Sequence, residues 1–469
     1  MSETRPQGPA RMPGDGGAEG AWGLSEDEAT QGAARLSGDG VTQGPAGLPG
    51  LTQGPAGLSE HPTPHRPAHP PKGTRGLRQG TSSEAAPGRD GLRIVRLANF
   101  VAPASGGLRT ALRELGAGYR AAGHEPVLIL PGPAATDEQT EQGRVITLPG
   151  PVLPGTGGYR VLVERRPLTR LLEELAPDRL EVSDRTTLRW TGGWARRARV
   201  PSVMVSHESV DGVLRTWGVP ENAAVRAADT LNRRTAYAFG RVVCTTEWAA
   251  REFERIGARN ILRAPLGVDL TRCHPAHRSS TLRRRLVGDD DVLLVMCSRL
   301  SPEKRPGRAL DALAELRRRG VRARLAVAGD GPLRERLRAR ARAERLPVRF
   351  LGHLPGPEVA ALQASADIAL QPGPVETFGL AALEALAGGT PVVASALSAL
   401  PAIIGSAGDT AVDDGAAFAD AVERLLARDE PARRGAARRR AERYGWPAAV
   451  DAFLAAHGAA RLPAAREAA

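Results

Sequence analysis

The chain has 469 residues, of which 64 are Lys or Arg and 52 are Asp or Glu, giving a net charge of +12, with 41% hydrophobic and 4% aromatic residues. That length exceeds one ordinary domain, and the three cysteines, Cys244, Cys273 and Cys297, are spaced too widely for a disulfide framework or a Cys-x-x-Cys zinc site. Few aromatics, and no zinc-finger, RRM-like or basic-zipper pattern, leave nucleic acid out of the expected partners.

The N-terminus, Met-Ser-Glu-Thr-Arg-Pro-Gln-Gly, has no apolar h-region, and no run of about 18 apolar residues follows it. The expectation is a cytoplasmic protein, soluble or peripheral at the inner face of the cell membrane. Residues 1–90 are rich in Gly, Pro, Ser, Thr and Gln and too poor in large apolar side chains to offset chain entropy. They are read as a disordered extension, with Thr-Gln-Gly recurring at 30, 42 and 52. His61, His65 and His69 stand at helical spacing there, but the prolines among them forbid the helix that would make a metal face. The extension is slightly acidic, so the body that follows carries about +14, which suits phosphate-bearing ligands or an anionic membrane surface.

Order is predicted to begin at Arg93–Asn99, a strand, followed by Pro103-Ala-Ser-Gly-Gly107 and a helix over 108–122, the opening of a βαβ unit. Strands near 127–130, 144–148, 179–182, 202–206 and 242–245 alternate with helices near 168–175, 186–197, 223–238 and 248–256. They build a first parallel α/β domain over 91–285. The alternation lapses around 265–291, where His274 to Gly288 reads as a crossover or linker. It resumes with strands near 291–297, 324–328, 348–351, 368–370 and 391–394, and helices near 306–319, 333–343, 358–364, 416–427 and 430–442. These make a second α/β domain over 286–445. Residues 446–469 are a C-terminal helix and tail expected to cross back to the first domain. The fold class is α/β, two facing Rossmann-like domains behind the extension.

The most informative stretch is Pro374-Val-Glu-Thr-Phe-Gly-Leu-Ala-Ala-Leu-Glu384, in which Glu376 and Glu384 are separated by seven residues. A loop ends at Phe378-Gly379 and a run of strong helix formers follows, leaving the amides of Phe378, Gly379 and Leu380 without intrahelical partners. Such a helix start attracts anions. Two carboxylates beside it suit a ligand with hydroxyls to hold and a phosphate to neutralise, as in a sugar nucleotide. Lysine usage points the same way. The chain has two lysines, Lys72 in the extension and Lys304 in Ser298-Arg-Leu-Ser-Pro-Glu-Lys304, so the folded body keeps one compact ammonium where all other cations are arginine. Ligands of open α/β sheets bind at the carboxyl ends of strands, where the Gly106-Gly107, His207, Arg299 to Lys304 and Glu376 segments all fall.

From about Arg93 to His457 the chain resembles the family 4 glycosyltransferases, retaining enzymes of the GT-B fold that transfer sugars from nucleotide diphosphate donors. The resemblance rests on Glu376 and Glu384 ahead of Gly389-Thr-Pro-Val-Val393, on Arg299 and Lys304, on Ala328-Gly-Asp-Gly-Pro332, on Phe350-Leu-Gly352 and on Gly123-His124. It implies that Arg299 and Lys304 neutralise the leaving diphosphate and Glu384 holds the ribose. It places Glu376 against the donor sugar, with Thr377, Phe378, Gly379 and Leu380 nearby. Gly106, Gly107 and Gly352 are the further donor-binding residues, and His207 the strand-end histidine beside the donor sugar. His207, Glu376, Arg299 and Lys304 are thus the catalytic expectations. Ser298, Leu266 and Ala396-Leu-Ser-Ala-Leu-Pro401 depart from the family pattern.

In such enzymes the donor phosphate takes the acceptor proton, so the two glutamates are not the acid and base of a glycosidase, which paired carboxylates alone would permit. No cofactor or metal is expected, and Asp289-Asp290-Asp291 reads as a linker turn. The expected partners are a nucleotide diphosphate sugar, with GDP-mannose ahead of UDP-sugars, and a lipid, inositol or glycan acceptor. The basic runs Trp194–Arg199 and Arg433–Arg440 read as solvated helix faces, with docking on anionic lipid as the alternative. An epimerase or phosphorylase on the same fold and a non-catalytic binding protein are the competing readings.

Overall fold

The computed structural model describes residues 91–101, 106–153, 158–207, 209–216, 218–288 and 292–462. The extension of residues 1–90, Pro103 to Ser105 of the glycine turn, Asp289–Asp291 and residues 463–469 lie outside the described residues.

The first sheet starts with β1 (Arg93–Leu97), and α1 (Gly107–Ala121) follows, its buried Ala111, Leu112, Leu115, Gly116 and Tyr119 at helical spacing. Next come β2 (Glu125–Gly132), β3 (Thr136–Thr140), β4 (Gly143–Pro149), α2 (Arg165–Leu175), β5 (Arg179–Val182), α3 (Trp190–Arg197), β6 (Ser202–Ser206), α4 (Val210–Thr216), α5 (Glu221–Ala238), β7 (Arg241–Cys244), α6 (Glu247–Glu254) and β8 (Ile261–Arg263). The strand order is β3-β4-β2-β1-β5-β6-β7-β8. Val95 lies opposite Val127 on one side and Leu180 on the other, and these side chains belong to one buried core with Met204 and Val242. The expectation of an all-parallel sheet is corrected at one edge, because β3 runs antiparallel to β4. Its sequence, Thr-Asp-Glu-Gln-Thr, is polar and exposed, so no hydrophobic alternation marks it. The helix expected from 186 begins at Trp190, because Asp184 draws the Thr186 amide (2.7 Å) and the Thr187 hydroxyl (2.5 Å) into a turn.

The supposed linker contains α7 (Ser280–Leu286), capped by Ser279, whose hydroxyl accepts from the Leu282 amide at 3.1 Å. The second sheet then runs β9 (Val292–Cys297), α8 (Pro306–Arg318), β10 (Ala323–Ala328), α9 (Arg334–Ala343), β11 (Val348–Gly352), α10 (Gly356–Ser365), β12 (Ile368–Gln371), α11 (Leu380–Ala387), β13 (Val392–Ser395), α12 (Leu400–Ile404), β14 (Asp409–Ala411), α13 (Gly415–Leu426) and α14 (Glu430–Ala441). Its order is β11-β10-β9-β12-β13-β14, parallel throughout, with Val295 between Ala326 and Ala369. A separate core, including Leu294, Leu313, Leu370 and Phe418, lies on this sheet.

Two crossings join the sheets, and they lie side by side. Val268 pairs with Gly445, its amide donating to the Tyr444 carbonyl at 2.7 Å. Gly267 is required by this approach, because a Cβ there would stand 2.6 Å from the Trp446 Cα. The chain then forms α15 (Trp446–His457), which packs on α1 of the first domain. There His457 Nε2 meets the Glu181 carboxylate at 3.0 Å, in a buried cluster where Arg96 (2.8 Å) and Tyr119 (2.7 Å) also bond Glu181. Burial would raise the Glu181 carboxyl, but Arg96 and His457 outweigh it and hold it well below the usual range.

The arginine run on α14 is not a solvated face. Arg438 donates to the carbonyls of Leu270, Cys273 and Ala387 at 3.0–3.1 Å, Arg434 to those of Ala364 and Ala366, and Arg440 to those of Ala402 and Ile403. Their guanidinium groups satisfy main-chain acceptors around α10, α11 and α12 that would otherwise be left buried. In the other basic run, Arg196 reaches the carbonyls of Tyr237 and Ala238, while Arg197 and Arg199 are exposed. No helix among the described residues is long and apolar enough to cross a membrane.

Candidate active site

The loop after β9 is built as a platform. Ser298 and Leu300 donate their amides to the carbonyls of Ala328 and Asp330, and the Leu300 side chain is fully buried. A single helical turn at Pro302–Lys304 then turns the Lys304 side chain towards the loop after β12. There Lys304 Nζ forms an ion pair with the Glu376 carboxylate. Arg299 Nη2 bonds Glu303 at 3.0 Å, and its Nη1 donates to the Tyr159 hydroxyl at 2.6 Å. The two cations expected to meet a diphosphate are therefore each paired with a carboxylate of the protein.

Gly379 caps α11 in the left-handed conformation, φ 73°, and a Cβ there would stand 2.3 Å from Leu400 Cδ2. The Glu376 carbonyl accepts from the Ala399 amide at 2.9 Å, so the segment without the family's glycines braces the loop of Glu376. Phe378 turns inward, edge-on to Tyr444 with ring centroids 6.3 Å apart, so its side chain packs the crossing. Glu384, further along α11, meets Arg272 Nη2 at 3.5 Å. Burial pushes its carboxyl above the ordinary value, with Arg272 pulling the other way.

The first domain faces this wall closely. Gly106 caps α1, accepting from the Thr110 amide at 3.1 Å, and a Cβ on Gly107 would lie 3.6 Å from Leu380 Cδ1. The N-termini of α1 and α11 thus meet across the cleft, two amide-rich ends converging on one space. The Thr377 hydroxyl donates to the His207 carbonyl, a second contact between the walls. His207 Nε2 lies 3.1 Å from the Ser183 hydroxyl. Burial pushes its imidazole down to about 4, Glu181 opposing and Arg96 and Arg185 reinforcing, so the ring is neutral at pH 7. Behind it Arg185 joins Ser206 (2.5 Å), Asn232 (2.9 Å) and Glu252 (3.3 Å) in a buried network that holds the end of β6.

His207, Arg299, Lys304, Glu376, Thr377, Gly379, Leu380, Gly106 and Gly107 therefore converge. Gly352 ends the outer strand β11, where its carbonyl accepts from the Gly329 amide at 2.6 Å. Sequence reasoning missed Tyr159 and Arg272. No motif marks Tyr159 in its Gly-rich loop, while Arg272 follows Asp269, whose carboxylate accepts from the Arg272 amide at 2.8 Å, an Asx turn that was legible.

Two facing Rossmann-like domains, with helix starts, paired cations and acids meeting between them, define a GT-B glycosyltransferase. The chain belongs to the glycosyl transferases group 1: that family model matches residues 279–443, and the glycosyl transferase 4-like domain matches 106–267. It is 49% identical over 371 residues, 78% of this chain and 96% of the relative, to the GDP-mannose-dependent alpha-(1-6)-phosphatidylinositol dimannoside mannosyltransferase of Mycobacterium tuberculosis. A GDP-mannose-dependent alpha-mannosyltransferase of the same species is 29% identical over 65% of this chain and 79% of its own length. Among solved structures, Anabaena Alr3699/HepE in complex with UDP and glucose superposes with a TM-score of 0.60 at 19% identity, covering 78% of this chain and 98% of that one, which shows the shared fold. The chain is thus an enzyme, a hexosyltransferase.

Proposed function

We propose that the protein is a retaining mannosyltransferase that moves mannose from GDP-mannose to a phosphatidylinositol mannoside or a closely similar mannosylated lipid. The observation that supports it best is the pairing of Lys304 with Glu376 between the N-termini of α1 and α11, a cation for phosphate beside an acid for sugar hydroxyls. The relative at 49% identity carries the choice of GDP-mannose and of a phosphatidylinositol-based acceptor.

In this reading Lys304 exchanges Glu376 for the diphosphate, Arg299 offers it the N–H donors that Tyr159 and Glu303 leave, and both cations stabilise it as it leaves, the electrostatic contribution that dominates such chemistry. Glu376 is released to hold sugar hydroxyls, Glu384 holds the ribose, and the amides of Gly106, Gly107 and Leu380 approach the phosphate and the sugar. Neutral His207, kept so by burial, accepts or donates a hydrogen bond at the sugar without adding charge. The acceptor hydroxyl attacks from the face that the diphosphate leaves, and its proton passes to the leaving phosphate. No protein nucleophile and no metal take part. The protein works at the inner face of the membrane that holds its acceptor.

A panel of nucleotides scored by thermal shift tests this. GDP is expected to raise the melting temperature more than UDP, and GDP release from GDP-mannose is expected to depend on a mannosylated inositol lipid. Loss of the GDP response in Lys304→Ala supports the phosphate role. Preference for UDP, or acceptor-independent turnover, refutes the reading, and an EDTA-sensitive rate refutes its metal-free form.

A further inference from the structure

Arg299 is held from the opposite domain. Val152 and Arg160 form an antiparallel bridge in the first domain, and the Leu153 amide donates to the Tyr159 carbonyl at 2.8 Å, so the base of this loop fixes Tyr159. The Tyr159 ring lies under the Arg299 guanidinium, 5.5 Å from centroid to Cζ, and its hydroxyl accepts from Nη1 at 2.6 Å. Glu303, from the second domain, takes Nη2 at 3.0 Å. A guanidinium has five N–H donors. Two are engaged among the described residues, and three remain for an anion. A planar fork delivers bidentate bonds only when its plane is set, and a long side chain left free loses that preorganisation. Glu303 alone leaves the plane free to rotate about the bond it accepts. The ring and hydroxyl of Tyr159 fix it.

We propose that Tyr159 is a positioning residue for the donor: it sets the plane of Arg299 for the nucleoside diphosphate and makes that setting depend on the approach of the first domain. The inference rests on the donor site of the proposed function and deepens it. Phosphate is gripped by a second-domain cation whose orientation is supplied by the first, so donor phosphate and domain approach favour each other. The neighbouring contacts, Thr377 to His207 and Gly107 to Leu380, close the same wall without touching Arg299.

The test is a double-mutant cycle on the full chain, read by calorimetric binding of GDP and by donor kinetics. Tyr159→Phe keeps the ring and loses the hydroxyl, and is expected to weaken GDP by about fivefold to tenfold. Tyr159→Ala loses both and is expected to weaken it further, with the loss in KM for the donor exceeding the loss in kcat. In an Arg299→Ala background, Tyr159→Phe is expected to change GDP affinity by less than about twofold. The melting temperature of the ligand-free Tyr159→Phe variant should match the parent. GDP binding by both Tyr159 variants at parental affinity overturns the inference, as does a Tyr159→Phe loss of full size without Arg299. Failure of the parent to bind GDP removes the donor reading and this inference with it. A parent that binds, loses binding in Lys304→Ala and ignores Tyr159 removes this inference alone.

Discussion

The Lys304 to Glu376 ion pair makes a prediction that runs against the usual effect of damaging a binding site. Both side chains are largely buried, 26% and 19% exposed. Two unit charges about 4 Å apart attract by about 4 kcal/mol at an effective dielectric of about 20, while exposed pairs contribute about 1 kcal/mol or less. For this partly buried pair a net worth of about 1.5–2 kcal/mol follows from those limits. On the proposed donor reading GDP must recover that amount when Lys304 turns to its phosphate, since GDP alone brings no sugar to occupy Glu376. Glu376→Gln keeps the shape and removes the charge. The variant is expected to bind GDP about tenfold to thirtyfold more tightly than the parent, while turnover of GDP-mannose falls by about a hundredfold or more as the carboxylate proposed to hold its hydroxyls is lost. Isothermal titration with GDP and steady-state assays with GDP-mannose check both halves. Unchanged or weaker GDP binding in Glu376→Gln would refute the idea that the carboxylate holds the phosphate cation in the free enzyme.

Other consequences are open to measurement. His207 has a folded-state pKa of about 4 against about 6.5 unfolded, so the unfolded chain binds the extra proton between those values. Its contribution to stability is fully present above about pH 6.5 and is lost as pH falls through about 4, an effect on the order of 1–3 kcal/mol; His207→Asn should flatten the pH dependence of the urea midpoint in that window, and a retained slope would show that another group carries it. Gly267→Ala should lower the thermal midpoint and slow turnover together, because its Cβ cannot fit against the Trp446 backbone; wild-type behaviour would show that the paired crossings tolerate separation. His457→Ala should cost about 2–4 kcal/mol of stability by unbalancing buried Glu181, with GDP affinity unchanged; a smaller loss in urea titration would mean Arg96 and Tyr119 suffice.

Much of the fold was legible because parallel strands buried on both faces announce themselves as apolar runs, such as Val127–Leu130 and Val292–Cys297. The polar edge strand β3 carried no such signal, and α7 hid behind its run of arginines. The site divided in the same way. Residues that share a loop or a helix start could be picked out in the sequence, Glu376 to Leu380 from spacing, Lys304 from lysine usage and Arg299 from the family resemblance. Partners delivered by tertiary structure could not: Tyr159 comes to Arg299 from 140 positions away, and Thr377 to His207 from 170. Charge pairing was also hidden. Spacing marks a cation but not the acid that tertiary structure sets beside it, as Glu376 stands to Lys304. The helix-borne arginines of α14 show the converse, since their composition suggested a surface role and their geometry commits them to carbonyl groups.

The return of α15 to the first domain has a consequence for biosynthesis. Glu181 is made early and His457 late, with the whole second sheet between them. Domains generally form in the order in which they leave the ribosome, but here the first to emerge is left with an unfinished buried cluster until nearly the last described residue is made. The second domain, whose core among the described residues draws on residues 292–426, is the first that can be completed. Assembly of this enzyme is therefore closed by α15, and a chain stalled before residue 446 holds a complete core in the second domain beside a first domain that lacks this helix.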